Sequence, residues 1–117
     1  MRRSPILKTF IDLFCGLGGF HLAMLRFCLR CVFACDINVA CRANYRLNFG
    51  MWPHADIREV AAEVIPLHDV LFAGIPCTTF SRCGGRRGVN HPAGQLYQQV
   101  LRICGHHRPK VLILECV

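Results

Sequence analysis

The sequence has no run of about 18 uncharged apolar residues, which excludes a simple membrane-spanning helix. Lys8, Asp12, His21, Arg26 and Arg30 interrupt the first third, and the layered plan of a signal peptide is missing there too. Charge is scarce, at 18% of residues against 53% hydrophobic, and the mean hydropathy is +0.34. A small domain that must cover its own surface is usually less apolar, so the chain reads as the buried slice of something larger. Acidic residues are the scarcest charged group: 7 against 14 Lys and Arg, for a net charge of +7, which favours polyanionic partners. Cys28-Leu29-Arg30-Cys31 has the spacing of half a zinc site, but no second pair follows it, so no metal is expected. Nine cysteines is an odd count, and many sit inside apolar runs. They read as small buried hydrophobes in a reducing compartment, within a protein that is not secreted. Repeats, linkers and low-complexity segments are absent too, so residues 1–117 form one partial domain.

What is present alternates short apolar runs with longer amphipathic ones. Phe10–Phe14, Cys31–Cys35, Asp69–Gly74 and Val111–Val117 read as buried strands, and Ala55–Ile57 as a strand end. Helices are expected over Gly18–Arg30, from an Asn38 cap to Asn48-Phe49-Gly50, over Arg58–Ile65, and over Gly94–His107. In the second of these Val39, Ala43 and Leu47 recur at helical spacing. In the last, Leu96, Val100, Ile103 and Cys104 share a side. Thr78–Pro92 has no apolar period and reads as a loop. Strand–helix alternation with continuous apolar strands predicts an α/β, Rossmann-like fold. The last strand is expected to leave an incomplete parallel sheet with an uncovered edge.

Three groups of residues carry chemistry. Phe14-Cys15-Gly16-Leu17-Gly18-Gly19 follows the first strand, where glycines let a ligand approach the backbone at the carboxyl end of a sheet. A dinucleotide fingerprint requires glycine at position 21, which is His21, so an adenosine ligand without a pyrophosphate fits better. Asp36, about 20 residues on, can accept from ribose hydroxyls, with Ile37 beside it. A glycine turn kept for packing and an incidental aspartate explain the same residues equally well. Gly74-Ile75-Pro76-Cys77 ends the third strand on a stiff proline and places a thiol at the functional edge, where a thiolate is a strong nucleophile. Ser81, Arg82, Arg86 and Arg87 follow in a glycine-rich loop able to close over a phosphate backbone, or to serve as plain solvated surface. Glu115, at the end of the last strand, can donate a proton to a ring nitrogen.

Together these segments resemble the cytosine-5 DNA methyltransferase family over nearly the whole chain. Ile11–Phe20 looks like its opening cofactor motif, Asp36 stands where its acidic ribose ligand does, and Asp56-Ile57 resembles its adenine-contacting segment. Gly74–Ser81 looks like its Pro-Cys nucleophile loop, Gly94-Gln95-Leu96 a further cofactor-side segment, and Glu115-Cys116-Val117 its Glu-Asn-Val motif. The resemblance implies S-adenosyl-L-methionine as cofactor, held by Phe14, Cys15, Gly16, Leu17, Gly18, Gly19, Asp36, Ile37, Asp56, Ile57, Gly74, Pro76 and Leu96. It implies double-stranded DNA as substrate, touched by Ser81, Arg82, Arg86 and Arg87. Cys77 would add to carbon 6 of a flipped cytosine while Glu115 protonates nitrogen 3. Thr78 departs from the family's usual glutamine and Cys116 from its asparagine. The family's later arginine-bearing motif and target-recognition region are not in these 117 residues. The expectation is therefore a fragment, or one half of an enzyme completed by a second chain; tRNA methylation and an inactive cofactor-binding remnant are the alternatives. The setting implied is cytoplasm in a prokaryote or phage-infected cell and the nucleus in a eukaryote, with no membrane attachment.

Overall fold

A computed structural model of the chain describes residues 6–75 and 92–116. The elements run β1 (Thr9–Leu13), α1 (Gly19–Leu25), β2 (Arg30–Cys35), α2 (Val39–Phe49), two 3-10 turns (Ile57–Glu59 and Ala62–Val64), β3 (Val70–Ile75), α3 (Pro92–His107) and β4 (Val111–Cys116). The strands are all parallel, in the order β2-β1-β3-β4. The chain winds outward from β1 to β2, then crosses back to lay β3 on the other side of β1. That reversal makes a topological switch point between the carboxyl ends of β1 and β3, the place where open α/β sheets bind ligands.

Strand alternation sorts the core onto two faces. Ile11, Leu13, Leu71, Ala73 and Ile75 pack with Ile57, Ile65, Val100 and Ile103, so α3 and the 3-10 turns cover one face. Phe10 and Val70 on the opposite face meet Leu29 and Phe20, and Phe20 stacks on Phe72 with centroids 3.9 Å apart. β2 changes register between Phe10 and Ile11 of its partner, so both Val32 and Phe33 reach the α3 face.

Several expected elements differ in detail. α1 stops at Leu25 instead of Arg30. Arg26, Phe27 and Cys28 donate three residues back instead of four, Cys28 turns left-handed (φ +59°), and Leu29 drops into the core. The helix expected over Arg58–Ile65 is the pair of 3-10 turns, pinned by the buried Ile57, Ala62 and Ile65. The strand expected at Ala55–Ile57 shrinks to one bridge between Cys35 and His54. The apolar stripe of α2 faces outward: Val39 and Leu47 are 67% and 83% exposed, and the buried side chain is Tyr45. Among the described residues no helix is long and apolar enough to cross a membrane, and no cluster of His, Cys, Asp or Glu suits a metal ion. The described cysteines carry free thiols, with Cys15 and Cys35 buried.

Candidate active site at the carboxyl edge of the sheet

The turn after β1 is unusually bent. Phe14, Gly16 and Gly18 all take positive φ, at +56°, +55° and +94°. Gly18 is fixed to glycine twice over, because a Cβ there would also run into the rings of Phe49 and Tyr45. The turn is pinned to β2 by the Cys15 N–H, which donates to the Cys35 carbonyl at 2.9 Å, and closed by the Gly18 N–H donating to the Cys15 carbonyl.

Asp36 links this turn to the next one. Its Oδ2 accepts from the Gly16 N–H at 2.8 Å, and its Oδ1 accepts from the Asn38 N–H at 2.9 Å. Arg42, one turn into α2, donates Nη1 to the carbonyls of both Asp36 and Ile37 at 3.0 Å. Each carboxylate oxygen keeps a free lone pair for a ligand hydroxyl. Ile37 and Leu17, at 71% and 63% exposure, are the bare apolar side chains beside this acid and this turn. Cys15 differs, because its side chain is buried with Ala34 and Tyr45, leaving only backbone for a ligand.

The third loop is brought alongside by backbone pairing, since Asp36 donates to the His54 carbonyl and His54 to that of Ala34. Asp56 then caps the first 3-10 turn. Arg58 grips its carboxylate through Nε at 3.0 Å and Nη2 at 2.7 Å, and this hydrogen bonding holds the acid below the usual carboxylate range. The Ile57 side chain is buried on the α3 face, and its carbonyl accepts from Arg102 of α3, so any ligand contact by Ile57 is through backbone.

On the other side of the switch point, Gly74 pairs in register with Glu115, whose side chain is exposed at the carboxyl end of β4. Leu96 is half-buried in α3. β3 ends at Ile75, directly before Pro76 and Cys77. Pro76, Cys77, Ser81, Arg82, Arg86 and Arg87 lie outside the described residues. The structure thus brings together Phe14, the glycines, Asp36 and Asp56 on three neighbouring loops. Arg42, Arg58, Arg102 and Tyr45, which brace those loops, were not legible in the sequence: a basic residue on a helix or turn gives no sign of which carbonyl or carboxylate it will reach.

A family model for C-5 cytosine-specific DNA methylases matches residues 8–117. The chain belongs to this family. It is 43% identical over 108 residues to the type II methyltransferase M.DsaV of Dactylococcopsis salina, covering 92% of this chain and 31% of that protein. It is 41% identical to M.HhaI of Haemophilus parahaemolyticus, covering 92% of this chain and 33% of the relative. This cytosine-5 methylase chain thus spans about a third of the length of the curated relatives it matches. Among solved structures it is similar to the S. pombe Dnmt2 methyltransferase (TM-score 0.65, 27% identity, 86% of this chain and 32% of that one). A putative DNA modification methyltransferase from a prophage in E. coli aligns with a TM-score of 0.70 at 26% identity, over 87% of this chain and 30% of that one. These neighbours share the Rossmann-like methyltransferase fold, of which the four parallel strands here form an incomplete sheet.

Proposed function

We propose that this chain supplies the cofactor pocket and the nucleophile of a DNA cytosine-5 methyltransferase. The observation that carries the reading is the Asp36 bridge: one carboxylate joins the glycine turn to the following loop at the switch point of the sheet. The donor set suits S-adenosyl-L-methionine: a bent, side-chain-poor turn for close approach, an acid with free lone pairs for ribose hydroxyls, and Ile37 and Leu17 as apolar surface. Phe14, Gly16, Gly18, Asp36, Ile37 and Asp56 would hold it, with Gly74 and Leu96 on the far side, and Pro76 is carried over from the family resemblance alone. When bound, this cofactor supplies an electrophilic methyl group.

The remaining steps belong to the chain's own residues. The Cys77 thiolate forms a bond to carbon 6 of a cytosine drawn out of the duplex, and the electron pair of the 5,6 double bond moves to make carbon 5 nucleophilic. Glu115 donates a proton to nitrogen 3 and so takes up the charge that would otherwise build on the ring. After methylation the original pair is held in the bond to the new methyl group. A general base takes the carbon 5 proton, and the C5–H pair re-forms the 5,6 double bond. The bond to carbon 6 breaks with its pair returning to the Cys77 sulfur, while nitrogen 3 gives its proton back to Glu115. Ser81, Arg82, Arg86 and Arg87 would hold the DNA backbone by charge. Duplex DNA is the substrate favoured here, since the curated relatives are type II methyltransferases. A target-recognition part would join this unit in cis or from a second chain. Such a substrate sets the protein in a prokaryotic cytoplasm, a phage-infected cell or a nucleus.

The test is methyl transfer from labelled S-adenosylmethionine to unmethylated duplex DNA, with the missing part supplied, comparing the native chain with Cys77→Ser. Transfer should drop at least a thousandfold in the variant while calorimetric cofactor binding stays unchanged. Transfer that survives in Cys77→Ser, or a chain that binds no cofactor, would overturn the reading.

A further inference from the structure

Beneath the glycine turn lies a polar cluster that neither the proposed cofactor cradle nor the nucleophile uses. Asp12, within β1, is fully buried, and its Oδ2 accepts from the Tyr45 hydroxyl at 3.1 Å while Oδ1 has no partner. The same hydroxyl lies 2.6 Å from Nδ1 of the buried His21 and 3.7 Å from the Cys31 sulfur. One oxygen atom therefore joins β1, α1, α2 and β2, the four elements that flank the two linked loops.

The phenol has a single proton to give. While Asp12 is ionised, Tyr45 donates to it and must accept from the Nδ1–H of His21. Once Asp12 takes a proton, the acid can donate to the phenol and, with the His21 ring proton shifted from Nδ1 to Nε2, the phenol can donate to Nδ1, so the chain reverses. Burial pushes Asp12 up to about 7, with the Tyr45 hydrogen bond opposing and the charge of Asp36 adding to the rise. Burial also raises the Tyr45 phenol, lifts the Cys31 thiol to about 11, raises the Cys15 thiol and lowers His21. Asp12 is thus the group in the cluster that changes charge between pH 6 and 8.

The cluster reaches the turn by contact. The Tyr45 and Phe49 rings fill the space beside Gly18, His21 stacks on Phe49 with centroids 3.9 Å apart, and Cys15 packs with Tyr45. We propose that Tyr45 is a positioning residue for the cofactor turn: through its hydroxyl, the protonation state of Asp12 sets how firmly Phe14–Gly18 is held. This rests on the turn being the cofactor site. The ionised state makes the charge-assisted, stronger chain and holds the turn in its binding shape.

Two measurements separate the parts. In the cofactor-free protein, the Gly18 backbone amide resonance should titrate with a midpoint near 7, lose that titration in Asp12→Asn, and keep less than half its amplitude in Tyr45→Phe. With S-adenosylmethionine, calorimetry should give an affinity about fivefold higher at pH 8 than at pH 6, falling to about equal affinities in both variants. Tyr45→Phe alters one atom, so it decides the question if Asp12→Asn fails to fold. A Gly18 amide that ignores pH, or titrates equally in Asp12→Asn, overturns the coupling even if the cofactor binds. A Gly18 titration that depends on Asp12, without cofactor binding at any pH, supports the coupling and overturns the cofactor reading.

Discussion

At Asp12 the alternation of β1 turns a carboxyl into the core, where apolar neighbours take the equivalent places on the adjoining strand. Burial raises its acid from an ordinary 3.8 to about 7, which means that the fold prefers the protonated form. The sign for stability follows from that shift. A carboxyl whose folded value is raised contributes its full stability below about pH 4, and loses it progressively as pH rises to about 7. The loss is on the order of a few kcal/mol, since each unit is worth about 1.4 kcal/mol. Asp12→Asn keeps an acceptor for Tyr45 and removes the charge, so it should be more stable than the native chain at pH 8 and flatter between pH 4.5 and 8. Urea unfolding across that range checks it, and a native chain that gains stability on the variant as pH rises would contradict it. Here sequence and structure part company. Asp36 was legible because it ends a strand at a fixed distance from a glycine turn. Asp12 was not, because it sits inside an apolar run and its partner Tyr45 lies 33 positions away on another element.

α2 shows both what local sequence decides and what it leaves open. Its ends were legible. Asn38 caps it with Oδ1 accepting from the Cys41 N–H at 3.1 Å, and Gly50 stops it in the left-handed region at φ +76°. Both are short-range events between near neighbours. Its buried face was not legible, because the Val39-Ala43-Leu47 stripe matches helical spacing as well as Tyr45 and Phe49 do. The choice between them is made by the polar partners waiting on β1 and α1 and by the gap at Gly18. Asn38→Ala should cost about 1 kcal/mol of stability, measured by the same urea unfolding. It should also weaken cofactor binding, because the backbone N–H of residue 38 that donates to Asp36 is kept in the variant but is no longer anchored by the side-chain cap on Cys41. Wild-type affinity in a destabilised variant would show that the backbone N–H of residue 38 holds Asp36 without help from the cap. Two 3-10 turns stand where the sequence predicts one helix for a related reason: Ile57, Ala62 and Ile65 are core anchors, and their spacing does not describe a continuous helical stripe.

Over the whole molecule, the parallel α/β sheet was legible from the alternation of apolar runs and amphipathic segments, whereas the strand order depends on long-range pairing. An edge strand left exposed among the described residues was also legible, as a greasy composition and a final apolar strand. Among the described residues β4 lies at the end of the sheet, and Leu112, Ile113 and Leu114 are 43%, 37% and 44% exposed, on both of its faces. β3, one place inward, is buried throughout. Unpaired N–H and C=O groups along an exposed apolar strand form a template for another strand, and no Lys, Pro or bulge within β4 blunts it. The chain of 117 residues produced alone should therefore associate in a concentration-dependent way in sedimentation velocity. Leu114→Lys puts a charge on the edge and leaves the fully buried Val100 and Ile103 of α3 in place, so it should weaken that association at least tenfold, about 1.4 kcal/mol or more. A native chain that stays monomeric at high concentration would show that β4 is protected by chain packed against it.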